Sequence, residues 1–121
     1  GMVPTILFQN DIPFMVLGAL GGSVIISAVL QTILNIVDFG MSQMEAVSVP
    51  RIHSEGDFVH VEARVESSQI AVLESFSHKI KKSPYSFDPM MARCHVILKD
   101  KKNWKAGADP RSGGGVAFAR V

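Results

Sequence analysis

Polar residues are rare between Gly22 and Val37, and they are regularly spaced: Ser23, Ser27, Gln31 and Asn35 recur at every fourth position. That interval stacks them into one narrow stripe on a helix, with Val24, Ile25, Ile26, Val29, Leu30, Ile33, Leu34, Ile36 and Val37 around it. A membrane span needs about 20 apolar residues. This run is shorter, and its stripe would place two amide side chains in lipid. The pattern predicts instead a helix buried on most sides of a layered domain.

Upstream, Thr5 to Phe8 and Pro13 to Leu17 flank Gln9-Asn10-Asp11, the signature of a hairpin. Downstream, Gly40 suits a helix C′ position, and Ser42 to Glu45 has the spacing of a capping box that opens a short helix ended by Pro50. Phe58 to Val61 reads as a strand. Ser67 or Ser68 is placed to cap a third helix, with Ile70, Leu73 and Phe76 on one face and Lys79 near its end. Arg93 to Lys99 and Trp104 to Ala108 form a second hairpin across Asp100 to Asn103, and Gly113 to Gly115 reads as a loose end. The order ββααβαββ argues for a single α+β domain over residues 1–121, with helices on one face of a sheet.

Gly18, Gly21 and Gly22 close the second strand and open the long helix, with Ser23 at or near its N-cap. First-turn amides of such a helix attract negative charge. No Gly-Lys-Ser/Thr follows, so this is not a Walker A loop, and no dinucleotide fingerprint is present. Two readings remain: a tight strand-to-helix turn, or two amides presented to a developing oxyanion.

Composition narrows the classes. Apolar residues make up 47%, and the net charge of +1 gives no electrostatic case for nucleic acid. The single Cys94 allows no intrachain disulfide and leaves the compartment unknown. Gly1 before Met2 reads as a tag scar; no basic residue precedes Arg51, so no signal peptide is expected and a cytoplasmic setting is weakly favoured. Asp11 and Asp38 are the only charges ahead of Glu45, so the N-terminal third reads as surface made to be covered.

Other chemistry-bearing residues read as structural. Cys94 and His95 point to opposite faces of a strand, so Cys94 is expected in the core. His60 shares a strand face with Glu62 and His53 lies near Glu55, but no zinc spacing occurs; all four are expected at the surface, with no metal and no cofactor. Lys79, Lys81 and Lys82 read as a solvated face, Asp109 and Arg111 as a structural pair, and Met90 and Met91 as gap fillers.

In order, Met2-Val3-Pro4-Thr5, Gly18-Ala19-Leu20-Gly21-Gly22-Ser23, Val29-Leu30-Gln31, Leu34-Asn35 and Asp38-Phe39-Gly40-Met41 resemble one family. Glu45-Ala46-Val47, Pro50-Arg51 with His53, and Gly107-Ala108-Asp109-Pro110-Arg111 continue it. The resemblance is to the C-terminal part of the small subunit of gamma-glutamyltranspeptidase, an N-terminal-nucleophile hydrolase. It implies part of a four-layer αββα sandwich. It also implies that Gly21 and Gly22, with Ser23 beside them, form the oxyanion hole and substrate-binding turn for small gamma-glutamyl compounds. The family's nucleophile is a threonine at a new N-terminus, matched neither by Thr5 nor by Thr32, so no catalytic residue is assigned here. Ala19 and Leu20 replace the family's serine and proline, and Val24 stands where an arginine is common. Two expectations follow: a piece of such an enzyme, inactive alone and completed by a separate chain carrying the threonine, or a non-catalytic remnant that self-associates or binds a small ligand. Either is expected to homo-oligomerise through its apolar surface, with no membrane partner.

Overall fold

The computed structural model describes residues 2–120. Its first hairpin joins β1 (Thr5–Gln9) to β2 (Ile12–Leu20) through Asn10 and Asp11, which have φ of 50° and 62°. Two consecutive left-handed residues make the tight hairpin turn whose twist matches the strands, and Asn and Asp tolerate that conformation best after glycine. The register slips between Leu7 and Phe8, where Phe8 faces Pro13. Proline has no N–H to donate, so a bulge at that point costs the ladder little. The second hairpin, β6 (Arg93–Asp100) and β7 (Asn103–Gly107), pairs Asp100 with Asn103. β2 and β6 pair antiparallel, giving a four-stranded sheet in the order β1-β2-β6-β7.

One face of this sheet is covered by α1 (Ile25–Val37) and α2 (Gln43–Ser48). Met15, Leu17, Ile25, Ala28, Val29, Val47, Cys94 and Val96 form the main core between them. Cys94 is buried and His95 exposed, as strand alternation requires, and burial pushes the Cys94 thiol up, keeping it protonated. The capping box of α2 is formed in both directions, Glu45 N–H to Ser42 Oγ at 3.2 Å and Ser42 N–H to Glu45 Oε2 at 3.0 Å. Val49 leaves the helix in extended conformation because Pro50 follows.

The sequence pattern misses two short strands. β3 (Ile52–Ser54) and β5 (Ile80–Lys82) flank β4 (Val59–Val61), antiparallel on one side and parallel on the other. Three residues are too few to show alternation. Val59 and Val61 of this second sheet, with Val65 from the turn that follows β4, pack against Ile70 and Leu73 of α3 (Ser67–Ser75). The third helix is capped by Glu66 with Gln69, not by a serine, and it ends before Lys79; Phe76 is exposed.

A buried ion network ties the segments together. Arg51 Nη1 donates to Asp109 Oδ2 at 2.6 Å, and Arg111 donates to Asp109 Oδ1 from both its backbone N–H (2.8 Å) and Nη1 (3.1 Å). Arg111 also grips Glu62 with two parallel bonds, Nε to Oε1 at 2.7 Å and Nη2 to Oε2 at 2.6 Å. The remaining capacity is filled by backbone. Glu62 accepts from the N–H groups of Arg51 and Asp88, Asp109 from Cys94, and the guanidiniums donate to carbonyls of Val47, Val49, Met91 and Ala92. The Asp109–Arg111 pair expected from the sequence is present, as one edge of a larger whole. Glu62 corrects the surface assignment: it follows β4 and is fully buried, because a charged fork and two amides wait for it inside.

Burial alone would push the Asp109 carboxyl up, but Arg51, the Cys94 and Arg111 amides and the Arg111 charge outweigh it and hold it below the usual range. Its folded pKa is therefore below its unfolded one. The stability it contributes is full above about pH 4 and is lost as pH falls through the folded value. Asp109→Asn should lower unfolding free energy by about 3 kcal/mol at neutral pH, leaving Arg51 without its counter-charge. Urea titrations across the acid range should show the gap between native and variant chains narrowing as pH falls.

Candidate active-site turn

Between β2 and α1 the backbone passes through Gly21 at φ 146° and Gly22 at φ 71°. Both values lie in the region that disfavours side chains. A Cβ built on Gly21 would sit 2.7 Å from Ala92 Cα, whereas one on Gly22 would meet nothing within 4 Å. Gly21 is therefore the closely packed member of the pair and Gly22 the open one. Ala92 itself has φ 64°, and its carbonyl accepts from Arg51 Nη1 at 3.2 Å. The buried network thus reaches the glycine turn through one residue. Among the described residues, neither glycine N–H takes part in a turn, loop or side-chain hydrogen bond.

Ser23 is not the helix cap. The helix starts with a 3-10 turn over Gly22–Val24, Val24 is the N-cap of α1, and neither start has a side-chain cap bond. The Ser23 hydroxyl donates instead to Glu55 Oε1. The rest of the polar stripe points the same way. Ser27 Oγ is 2.7 Å from His53 Nδ1, Gln31 bonds both the carbonyl (2.8 Å) and the N–H (3.1 Å) of Ile52, and Asn35 Nδ2 donates to Ala46 O at 3.2 Å. The stripe is polar because it fastens α1 to α2 and to the edge of β3. Gln31 in particular supplies the donor and acceptor that a neighbouring strand would have given.

His53 Nε2 lies 3.1 Å from Glu55 Oε1, completing a chain Ser27–His53–Glu55–Ser23. The Ser23 hydroxyl, and after it His53, hold the exposed Glu55 carboxyl below the usual carboxylate range. The surface reading holds for Glu55 and His60, whereas the His53 side chain is only 10% exposed. Composition alone does not reveal this relay; the i, i+4 serines opposite a His-x-Glu segment were the available signal. Thr5 and Thr32 are occupied elsewhere, donating to Val3 O and Ala28 O, and Thr32 is buried. Among the described residues no cluster of three metal-ligating side chains occurs, and no helix is long and apolar enough to cross a membrane.

The sequence matches the profile of gamma-glutamyltranspeptidase over residues 1–119. The chain belongs to this family. It is 40% identical over 84 residues to the glutathione hydrolase proenzyme of Bacillus subtilis, a match covering 69% of this chain and 14% of that protein. To the Escherichia coli glutathione hydrolase proenzyme it is 35% identical over 113 residues, 92% of this chain and 19% of the other. A crystal structure of a Helicobacter pylori gamma-glutamyltranspeptidase mutant superposes with a TM-score of 0.81 at 32% identity, covering 92% of this chain and 61% of that one. The mixed α+β fold is thus that of an N-terminal-nucleophile hydrolase, and the chain spans less than a fifth of these two curated relatives.

The two glycines make different structural demands. Gly22→Ala should cost about 1 kcal/mol, the penalty of a left-handed alanine with room for its methyl. Gly21→Ala adds overpacking against Ala92 and should cost about 2 kcal/mol more. Denaturant midpoints of the two variants test this order; equal losses would contradict the packing described.

Proposed function

We propose that this chain supplies the oxyanion-stabilising part of a gamma-glutamyl amide hydrolase or transferase. The observation that carries the reading is the Gly21–Gly22 turn, left-handed at the head of α1 and backed by Ala92. A threonine from another segment adds its hydroxyl oxygen to the amide carbonyl while its own free amine takes the hydroxyl proton, later passed to the departing amine. The carbonyl oxygen gains the negative charge. The Gly21 and Gly22 amides donate to that oxygen, and Ser23 borders the turn. Collapse of the adduct expels the amine and leaves a gamma-glutamyl ester on the threonine, which water hydrolyses or a second amine takes up. A backbone donor set of this kind is worth about 10^2 to 10^3 in kcat. Small gamma-glutamyl compounds are the substrates this reading implies.

These 121 residues alone should not turn over a gamma-glutamyl anilide, since neither Thr5 nor Thr32 carries the free α-amine that would serve as its base, and Thr32 is buried. In an assembly with a segment bearing an N-terminal threonine, Gly22→Ala should lower kcat, because the added methyl keeps the N–H but stands in the open space through which the carbonyl must approach. Turnover by the clean chain alone, or an unchanged kcat in the assembled variant, would overturn the proposal.

Exposed apolar surface supports a second reading, self-association. Ile26, Leu30 and Val37 line the outer side of α1, and Ile6, Val16 and Ile97 are exposed neighbours on the sheet face opposite the helices, beside the 114–117 segment. Patches of several hundred Å2 are about the limit for a soluble monomer, and at about 25 cal/mol per Å2 their burial favours a two-fold dimer. Sedimentation at micromolar concentration should give a species larger than 13.1 kDa; a clean monomer would contradict it.

A further inference from the structure

Both hairpin turns project from one end of the four-stranded sheet, the end opposite the glycine turn. Met15 of β2 pairs with Leu98 of β6, and Leu98 with Lys105 of β7, which brings Asn10-Asp11 to the same end as Lys101-Lys102. Each loop is two residues long, with Gln9 facing Ile12 and Asp100 facing Asn103, so the tips are narrow and convex. Their charge is one-sided. Lys99, Lys101, Lys102 and Lys105 stand against Asp11 and Asp100, a larger positive excess than the +1 of the whole chain. The rest of the molecule is therefore net negative, and the chain has an electrical direction. Asp100 is taken up by Lys105, whose Nζ lies 2.8 Å from its Oδ2, which leaves Lys101 and Lys102 exposed at the tip.

The same end carries exposed apolar side chains. Phe8, Ile12 and Trp104 are each at least 42% exposed. Trp104 pairs with Lys99, whose Nζ lies 5.6 Å from the ring centre. A soluble polyanion would engage the lysines and leave these three side chains in water. A bilayer takes both kinds, since each lysine near anionic headgroups strengthens adhesion about fivefold and tryptophan settles at headgroup level. We propose that the β1–β2 and β6–β7 turns form a basic, aromatic tip that adheres to anionic bilayer surfaces. Adhesion needs no spanning helix, so it is compatible with the length of α1; the expectation of no membrane partner rested on that length. No residue of the glycine turn takes part, so the tip stands or falls apart from the oxyanion reading.

Trp104 is the sole tryptophan, and its emission therefore reports on the tip itself. Titrating the chain with vesicles of phosphatidylcholine and phosphatidylserine should move that emission saturably to shorter wavelength, while pure phosphatidylcholine vesicles leave it in place. Lys101→Gln combined with Lys102→Gln should weaken partition about thirtyfold, two steps of about fivefold. Lys79→Gln combined with Lys82→Gln removes the same charge at the second sheet and should leave partition within about twofold. All four side chains are exposed, so the variants keep the fold. No shift with the anionic vesicles, equal partition to the neutral ones, or equal losses in the two double variants would overturn the proposal. So would the same shift on dextran sulfate, which would assign the tip to a soluble polyanion.

Discussion

Two guanidiniums and two carboxylates are removed from water together in this chain, and the rest of the structure is arranged to make that tolerable. Arg51, Glu62, Asp109 and Arg111 are each at most 5% exposed. An isolated charge in such a place costs several kcal/mol, which only close pairing and filled lone pairs offset. Both conditions are met. The carboxylates receive backbone N–H groups as well as guanidinium, and the guanidiniums spend their spare donors on the end of α2 and on the Met91–Ala92 segment. Such a network stabilises less than an apolar core of equal volume would, but it has directions. It specifies where the α2 end, the exit of β4, the start of β6 and the 109–111 turn meet.

On the proposed oxyanion reading, direction is what the glycine turn requires. Donors useful to an oxyanion must be placed before the charge forms, since their value lies in not having to reorganise. Ala92, left-handed and held through its carbonyl by Arg51, is the surface against which Gly21 packs. On the other side, the polar stripe of α1 is fastened to β3 and α2 by Ser27, Gln31 and Asn35. The turn is therefore held from the core and from the helix, while Gly22 is left open.

Hairpins, α2 with its capping box, and the long helix were legible because each depends on local chemistry: left-handed Asn and Asp, Ser42 with Glu45, and a period close to 3.6. The second sheet was not, since β3 and β5 are three residues each and exist through pairing with β4. Glu62 was misread because alternation beside His60 carries no sign of an arginine 49 residues away. Ser23 illustrates the same limit. Its residue type and position suited a cap, but Glu55 offered its hydroxyl a charged acceptor. The glycine pair was found from the sequence as a turn; its division into a packed and an open member depended on Ala92, which no local pattern announces.

The central claim, that the buried ion network sets the geometry of the glycine turn, is tested most directly by Arg51→Lys. Lysine keeps the charge but lacks the planar fork that reaches Asp109 and the Met91 and Ala92 carbonyls together. In a chain that still gives a folded 15N spectrum, the amide signals of Ala92, Gly21 and Gly22 should shift or broaden, although Arg51 donates no hydrogen bond to either glycine. A folded Arg51→Lys chain whose Gly21 and Gly22 signals coincide with those of the native protein would contradict the account.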